Sequence, residues 1–346
     1  MKRPRPPFSS PNKAGKPGSS AISTAPEAAS SGITRRLLGL LLILTAVLLA
    51  LARQPDWPVQ ALLPRWAPAP STFIDVKGQQ VHLRDEGLSG DPLPIVLIHG
   101  TAASLHTWEG WVRALKGQRR VITLDLPGFG LTGPFAGSYQ PDDYHGDTYA
   151  RFVLDLLDTL KLQRVVLGGN SLGGEVAWRT AALAPERVAS LVLVDAAGPA
   201  FTPESMPLGF MFARVPVLNR IGEFALPRSV VAQGVANVYA DPSRIKPELV
   251  DRYFELALRE GNRRALRHRM QGLVNGEHAE RIAQLQQPTL IVWGAQDRLI
   301  PPATGREFQR LIKGSQLVVL EGLGHVPQEE DPARSVAPVK AFLGLK

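Results

Sequence analysis

From Thr72 onward the chain alternates two kinds of apolar pattern. One is a short, unbroken apolar run that stops at turn residues. It recurs in "PIVLIHG" (94–100), "RVITLDLPG" (120–128), "RVVLGG" (164–169), "SLVLVDAAG" (190–198), "PTLIVWGAQD" (288–297) and "SQLVVLEG" (315–322). Runs of this kind predict strands buried on both faces, as in a parallel sheet. The other kind repeats at i, i+3, i+4. In "TYARFVLDLLDTLKL" Phe152/Val153, Leu156/Leu157 and Leu160 share one side, which predicts an amphipathic helix. "FIDVKGQQVHLRDEG" (73–87) has period two around Lys77-Gly78 and predicts a hairpin. Strands alternating with helices imply an α/β domain: a mostly parallel central sheet with helices on both faces, joined by right-handed crossovers. There is no internal repeat.

One interval breaks the rhythm. Residues 199–286 separate two strand runs by far more than a crossover helix requires, and they carry helical patterns such as "KPELVDRYFELALREGNRRALRHRMQGL" from Lys246. They are expected to form a helical cap inserted over the carboxyl edge of the sheet, where open α/β sheets bind ligands. The core is then 72–198 with 287–346.

The N-terminal segment is different. Residues 1–34 are rich in Pro, Ser, Gly and Ala and are expected to be disordered. "RRLLGLLLILTAVLLALAR" follows, placing an apolar helix at 35–53. Its uncharged run Leu37–Ala52 is about 24 Å of helix at ~1.5 Å per residue, near the short limit for a bilayer core of ~30 Å. The expectation is a transmembrane signal anchor with the catalytic domain outside the cytoplasm, periplasmic or extracellular. The competing readings are a signal peptide cleaved at Ala50-Leu51-Ala52, a twin-arginine export signal at Arg35-Arg36 and a buried core helix. Residues 54–71 read as a Pro-rich linker with a short amphipathic piece lying on the membrane or on the domain. Trp57 and Trp66 are candidates for the outer interface.

Charge and composition narrow the function. The net charge of +8 sits in the tail: residues 1–36 hold seven Lys/Arg against Glu27, which leaves only +2 on the rest. A nearly neutral domain argues against a nucleic-acid partner. With no cysteine in 346 residues there is no disulfide, thiolate metal site or cysteine nucleophile. No metal-ligand spacing, phosphate loop or nucleotide fingerprint is present, so no cofactor is expected.

The chemistry concentrates in "VVLGGNSLGGEVA" (165–177). Val165–Leu167 reads as strand and Glu175–Leu183 as helix, with Ser171 on the turn between them. A sharp strand-to-helix turn forces its tip residue to positive φ and brings the two backbones together. Residues two before and two after must then be small, and Gly169 and Gly173 occupy those places. The turn holds the Ser171 hydroxyl out above the sheet, with the Leu172 amide beside it. A serine needs a base, and the base an orienting acid. Asp297 follows the strand in "WGAQDRLIP" and His325 the strand in "GLGHVPQEEDP", in the order Ser…Asp…His. Thr101 N–H, in the loop "HGTAAS", is the second candidate oxyanion donor. Asp297 has two other readings open: a cap for the helix near Pro301-Pro302, or a bystander if Asp195, ending the preceding strand, is the acid.

With "LIHGTAAS", "DLPGFG", "GGNSLGG", "WGAQDRLIP" and "GLGHVPQEEDP" in that order, residues ~72–345 resemble the α/β-hydrolase fold superfamily. The serine at 171 looks most like the branch of carboxylesterases and carbon–carbon hydrolases of meta-cleavage products. The fold's epoxide hydrolases and dehalogenases carry aspartate there. The carbon–carbon hydrolases typically have arginine where this chain has Ala295 and tryptophan after the histidine, where it has Val326. The resemblance implies a serine hydrolase of small to medium carboxylic esters acting through an acyl-enzyme on Ser171. The alternatives are a carbon–carbon hydrolase of a vinylogous diketo acid, a cofactor-free peroxidase-like relative, or a non-catalytic scaffold. Oligomeric state is not legible.

Other residues are expected to be structural. His99 ends a strand, His106, His145 and Trp108 pack or lie at the surface, and Asp125–Gly130 is a turn. Arg259, Arg263, Arg264, Arg267 and Arg269 read first as a solvated helix face, second as a site for anionic lipid or a substrate carboxylate.

Overall fold

The computed structural model of the chain describes residues 28–51, 53–215 and 218–346. Each apolar run read above becomes a strand. The strands are β1 (Thr72–Val76), β2 (Gln79–Gly87), β3 (Ile95–Ile98), β4 (Arg120–Leu124), β5 (Val165–Asn170), β6 (Val188–Val194), β7 (Thr289–Gly294) and β8 (Gln316–Leu320). They form one sheet in the order β1-β2-β4-β3-β5-β6-β7-β8. The six strands from β4 to β8 are parallel to their neighbours, while β2 runs antiparallel to β1 and β4. The β1–β2 hairpin turns on Lys77 and Gly78, both at positive φ.

Alternation along each strand splits the core into two faces. Val96 and Ile98 of β3 pack with Phe152, Trp178 and Phe308, from helices Gly146–Thr159, Leu172–Leu183 and Pro302–Leu311. Ile95 and Leu97 pack on the other side with Trp108, Trp111 and Val336. Each fully buried Leu, Val or Phe contributes about 1.5–3 kcal/mol, so both faces hold the sheet rigid under the loops at its carboxyl edge.

Among the described residues five α-helices lie between β6 and β7: Leu208–Arg214, Leu218–Phe224, Arg228–Val238, Pro247–Ala257 and Asn262–Gly272. The last overturns the expectation of a solvated arginine face. Arg263, Arg267 and Arg269 are buried. They pair with Asp56, Glu223 and Glu175, in that order. Burial is tolerated because each guanidinium meets a carboxylate.

The described residues up to Leu51 belong to a separate unit and form the helix Ala28–Leu51, whose apolar side chains from Leu37 to Val47 are exposed. Among the described residues no helix is long and apolar enough to cross a membrane. The anchor expected at 35–53 therefore has no support in the structure. The described apolar stretch Leu37–Leu51 is roughly 22 Å of helix, short of a bilayer core of ~30 Å. Most of the tail 1–34, and Ala52 of the cleavage motif, lie outside the described residues.

The segment 53–71 belongs to the second unit and is bound along the domain rather than free. Trp57 N–H donates to Leu258 O at 2.7 Å, and Trp57 O accepts from Glu260 N–H at 2.9 Å. Helix Val59–Trp66 buries Leu62 against Leu131 and Leu256. Trp66 Nε1–H donates to Glu255 at 2.7 Å. Both tryptophans thus have partners on the domain, which corrects their reading as membrane-interface residues.

Candidate active site

The turn after β5 has the geometry that its glycines require. Ser171 sits at φ 56°, ψ −117°, and the helix begins at once at Leu172, earlier than the sequence suggests. A Cβ on Gly169 would lie 2.2 Å from the Gly173 carbonyl carbon, and one on Gly173 would lie 2.0 Å from Ile98 O. Neither neighbour can move, because both are backbone. Gly173→Ala is expected to cost about 1–3 kcal/mol by overpacking, and to lower activity as the turn shifts. A denaturant midpoint measured beside kcat/KM checks both effects. Ser171 N–H donates to Val194 O at 3.0 Å, and Ser171 O accepts from Ala197 N–H at 3.1 Å, pinning the turn to the end of β6.

The structure brings the histidine and its acid together. His325 Nδ1 lies 2.7 Å from Asp297 Oδ2, with both residues buried. Asp297 Oδ1 accepts from Leu299 N–H (2.8 Å) and Ile300 N–H (3.0 Å), so the carboxylate is oriented before it meets the imidazole. His325 Nε2 is buried and has no hydrogen-bond partner. His325 and Ser171 line one cavity of about 140 Å³, which also meets Thr101, Phe210, Val231 and Val326. A second cavity of about 120 Å³ shares Thr101, Ser171, Phe210 and Leu299 with it and is lined on its far side by Leu172, Trp178 and Met270. Neither Leu172 N–H nor Thr101 N–H donates to a described group. Leu172 opens its helix, where amides have no intrahelical acceptor.

Asp195 lies close by but is bonded differently. It is fully buried at φ 44°, and its Oδ1 accepts from Gly294 N–H at 2.9 Å, while Oδ2 has no partner. Burial, and then the neighbouring Asp297 charge, raise its pKa well above the usual carboxylate range. Ligand atoms of Asp195, Asp297 and His325 lie within 4.8 Å of one another, close enough to hold a cation. One oxygen of each carboxylate is already taken by backbone amides.

Two supports escaped the sequence reading. Asn170 Nδ2–H donates to His325 O (2.9 Å) and Val194 O (3.2 Å), tying the histidine loop to the strand that carries Ser171. Its place beside the serine was the available signal. Glu330 accepts from Gly324, Ala240 and Asp241 N–H, joining that loop to the inserted helices. No local pattern marks it.

His99, His106 and His145 lie outside this site. His99 Nδ1 bonds Gly100 O, and its Nε2 accepts from Leu126 N–H; burial lowers its pKa. His106 is buried between Ser104 Oγ and Trp66 O, which pushes its pKa down to about 4. Trp108 is core, and His145 is an exposed residue ahead of helix Gly146–Thr159. Asp125 does more than make a turn, since it accepts Leu105 and Leu131 N–H and holds two loops.

Comparison with known proteins matches residues 94–332 to a family model described as alpha/beta hydrolase fold. The chain is 32% identical over 279 residues to the dihydrolipoyllysine-residue acetyltransferase component of an acetoin cleaving system from Pseudomonas putida, covering 80% of this chain and 70% of that one. It is 30% identical over 294 residues to 2-hydroxymuconate semialdehyde hydrolase from Pseudomonas sp. (strain CF600), covering 81% and 96%. Among solved structures it is similar to a membrane phospholipase A described as a bacterial virulence factor, with TM-score 0.64 and 26% identity, covering 90% and 98%.

Proposed function

The chain belongs to the alpha/beta hydrolase fold family, and on that footing we propose that it is a serine hydrolase cleaving small to medium carboxylic esters through an acyl-enzyme on Ser171. One observation carries the reading. A strained serine and an unpartnered imidazole nitrogen face one apolar cavity, and the imidazole is already held by a buried carboxylate. Ser171 Oγ attacks the carbonyl carbon while His325 Nε2 takes its proton. The Leu172 and Thr101 amides stabilise the oxyanion, about 3 kcal/mol per donor in comparable sites. His325 then protonates the departing alcohol, and water deacylates the enzyme by the reverse proton path.

The two cavities suggest where each half of the ester lies. The proton donor must reach the leaving oxygen, so the alcohol occupies the cavity lined by His325. The acyl chain takes the cavity lined by Leu172 and Trp178. Phe210 lines both. Phe210→Ala is expected to shift preference among p-nitrophenyl esters toward longer acyl chains by about tenfold in relative kcat/KM, the scale of one or two methylenes in an apolar pocket. A graded acyl series checks this, and the same series on the native chain tests the esterase reading.

The 2-hydroxymuconate semialdehyde hydrolase relative favours a second reading, cleavage of a carbon–carbon bond in a vinylogous diketo acid. Turnover of such an acid without turnover of any ester would reverse the order. Location outside the cytoplasm, with retention at a membrane, is part of the proposal. It draws on the basic and apolar N-terminal sequence and on the membrane phospholipase neighbour. Carbonate extraction of the membranes of expressing cells tests it.

A further inference from the structure

A second serine–histidine–aspartate chain stands on the other flank of the sheet. Ser71 Oγ lies 2.9 Å from His82 Nε2, and His82 Nδ1 lies 2.7 Å from Asp125 Oδ2. His82 and Asp125 are fully buried, and Ser71 is partly exposed. The proton positions follow from the partners. Asp125 accepts Leu105 N–H on Oδ1 (2.7 Å) and Leu131 N–H on Oδ2 (2.8 Å), so it is held as a carboxylate. In the neutral imidazole, a proton on Nδ1 facing that carboxylate makes Nε2 the acceptor toward Ser71 Oγ. Arg84 Nε–H donates to Ser71 Oγ at 3.0 Å. The hydroxyl therefore receives a donor from arginine and turns its own proton to histidine. This is the polarity of an activated nucleophile.

The surroundings admit a reagent. A surface cleft of about 300 Å³ is lined by Pro68, Ala69 and Pro70, the residues leading into the partly exposed Ser71, and by its hydrogen-bond partner Arg84. Arg84 Nη1 is paired with Glu109 (2.8 Å), and its Nη2 makes no hydrogen bond to a described group. That nitrogen is available to an oxyanion formed at the serine.

We propose that Ser71 is a second reactive hydroxyl, an acceptor for an acyl group delivered by an activated ester. The Oγ–carbonyl bond forms and the ester C–O bond breaks. The proton passes from Oγ to His82 Nε2, where Asp125 balances its charge, and the activated alcohol leaves as its anion. His82 is closed off from water, so the acyl-serine is expected to persist rather than turn over. Ser71 is then a modification site, independent of the chemistry at Ser171.

A fluorophosphonate probe tests this on the full chain: Oγ–P forms, P–F breaks, and the proton leaves with fluoride. The reaction is run on Ser171→Ala, and tryptic peptides are mapped by mass spectrometry. Ser71 lies in the peptide Trp66–Lys77 and Ser171 in the peptide 165–179. The expected result is an adduct on Ser71 forming at least about tenfold faster than on the exposed Ser89, a conservative share of general-base assistance. Ser71→Ala should abolish it, and Asp125→Asn should slow it. Should Asp125→Asn fail to fold, the ratio of Ser71 to Ser89 labelling in the otherwise intact chain decides the question. Labelling of Ser71 no faster than Ser89, or none, overturns the proposal. Labelling of the 165–179 peptide in the native chain reports separately on the reading of Ser171.

Discussion

Asp297→Asn is expected to lower kcat/KM on esters by about 10⁴, the loss seen when an orienting acid becomes an amide and the histidine tautomer is wrong. Asp195→Asn is expected to change it by less than about threefold. The two carboxyls are neighbours, yet only Asp297 reaches the imidazole, at 2.7 Å. Asp195 Oδ1 accepts Gly294 N–H and its other oxygen has no partner, so an amide keeps the one hydrogen bond that the side chain makes. Steady-state kinetics on both variants checks the assignment, and the opposite ranking would make Asp195 the acid. The same pair gives a stability prediction. The folded-state pKa of Asp195 is raised, so the folded chain keeps a proton that the unfolded chain releases above about pH 4. Its contribution is intact below that pH and is lost as pH rises toward the folded pKa. Asp195→Asn should therefore flatten the decline in stability between pH 4 and 8, as thermal unfolding across that range would measure.

Ser171→Ala is expected to cost about 10⁶ in kcat, with His325→Ala close behind and the double variant no worse than either. Non-additivity is the informative part, because the proposed mechanism joins the two side chains in one proton transfer. Residual turnover should remain above the uncatalysed rate, since the Leu172 and Thr101 amides and the cavity survive. Additive losses from the two single variants would mean that serine and histidine do not act together.

The legible parts of this protein are those whose causes are local. Strand runs and the helix Gly146–Thr159 follow from periodicity, and the elbow follows from Gly169 and Gly173, whose missing side chains leave room for Ile98 O and the Gly173 backbone. Ser171, Asp297 and His325 could be named because each follows a strand run, and parallel strands deliver their carboxyl ends to one edge. What stayed hidden depends on partners distant in the chain. Arg263, Arg267 and Arg269 look like a solvated face until Asp56, Glu223 and Glu175 are brought to them. Trp57 and Trp66 look like interface residues until backbone bonds to Leu258 and Glu260 and the Glu255 side chain appear. The Ser71–His82–Asp125 chain joins a loop, the interior of β2 and the residue after β4, which no local pattern links.

The most direct test of the whole account is where a serine-directed phosphonate lands on the native chain. Stoichiometric adduct on Ser171 within the peptide 165–179 is the predicted result, with its rate falling at least about a hundredfold in His325→Ala. An unmodified 165–179 peptide in a folded sample that still hydrolyses esters would contradict it.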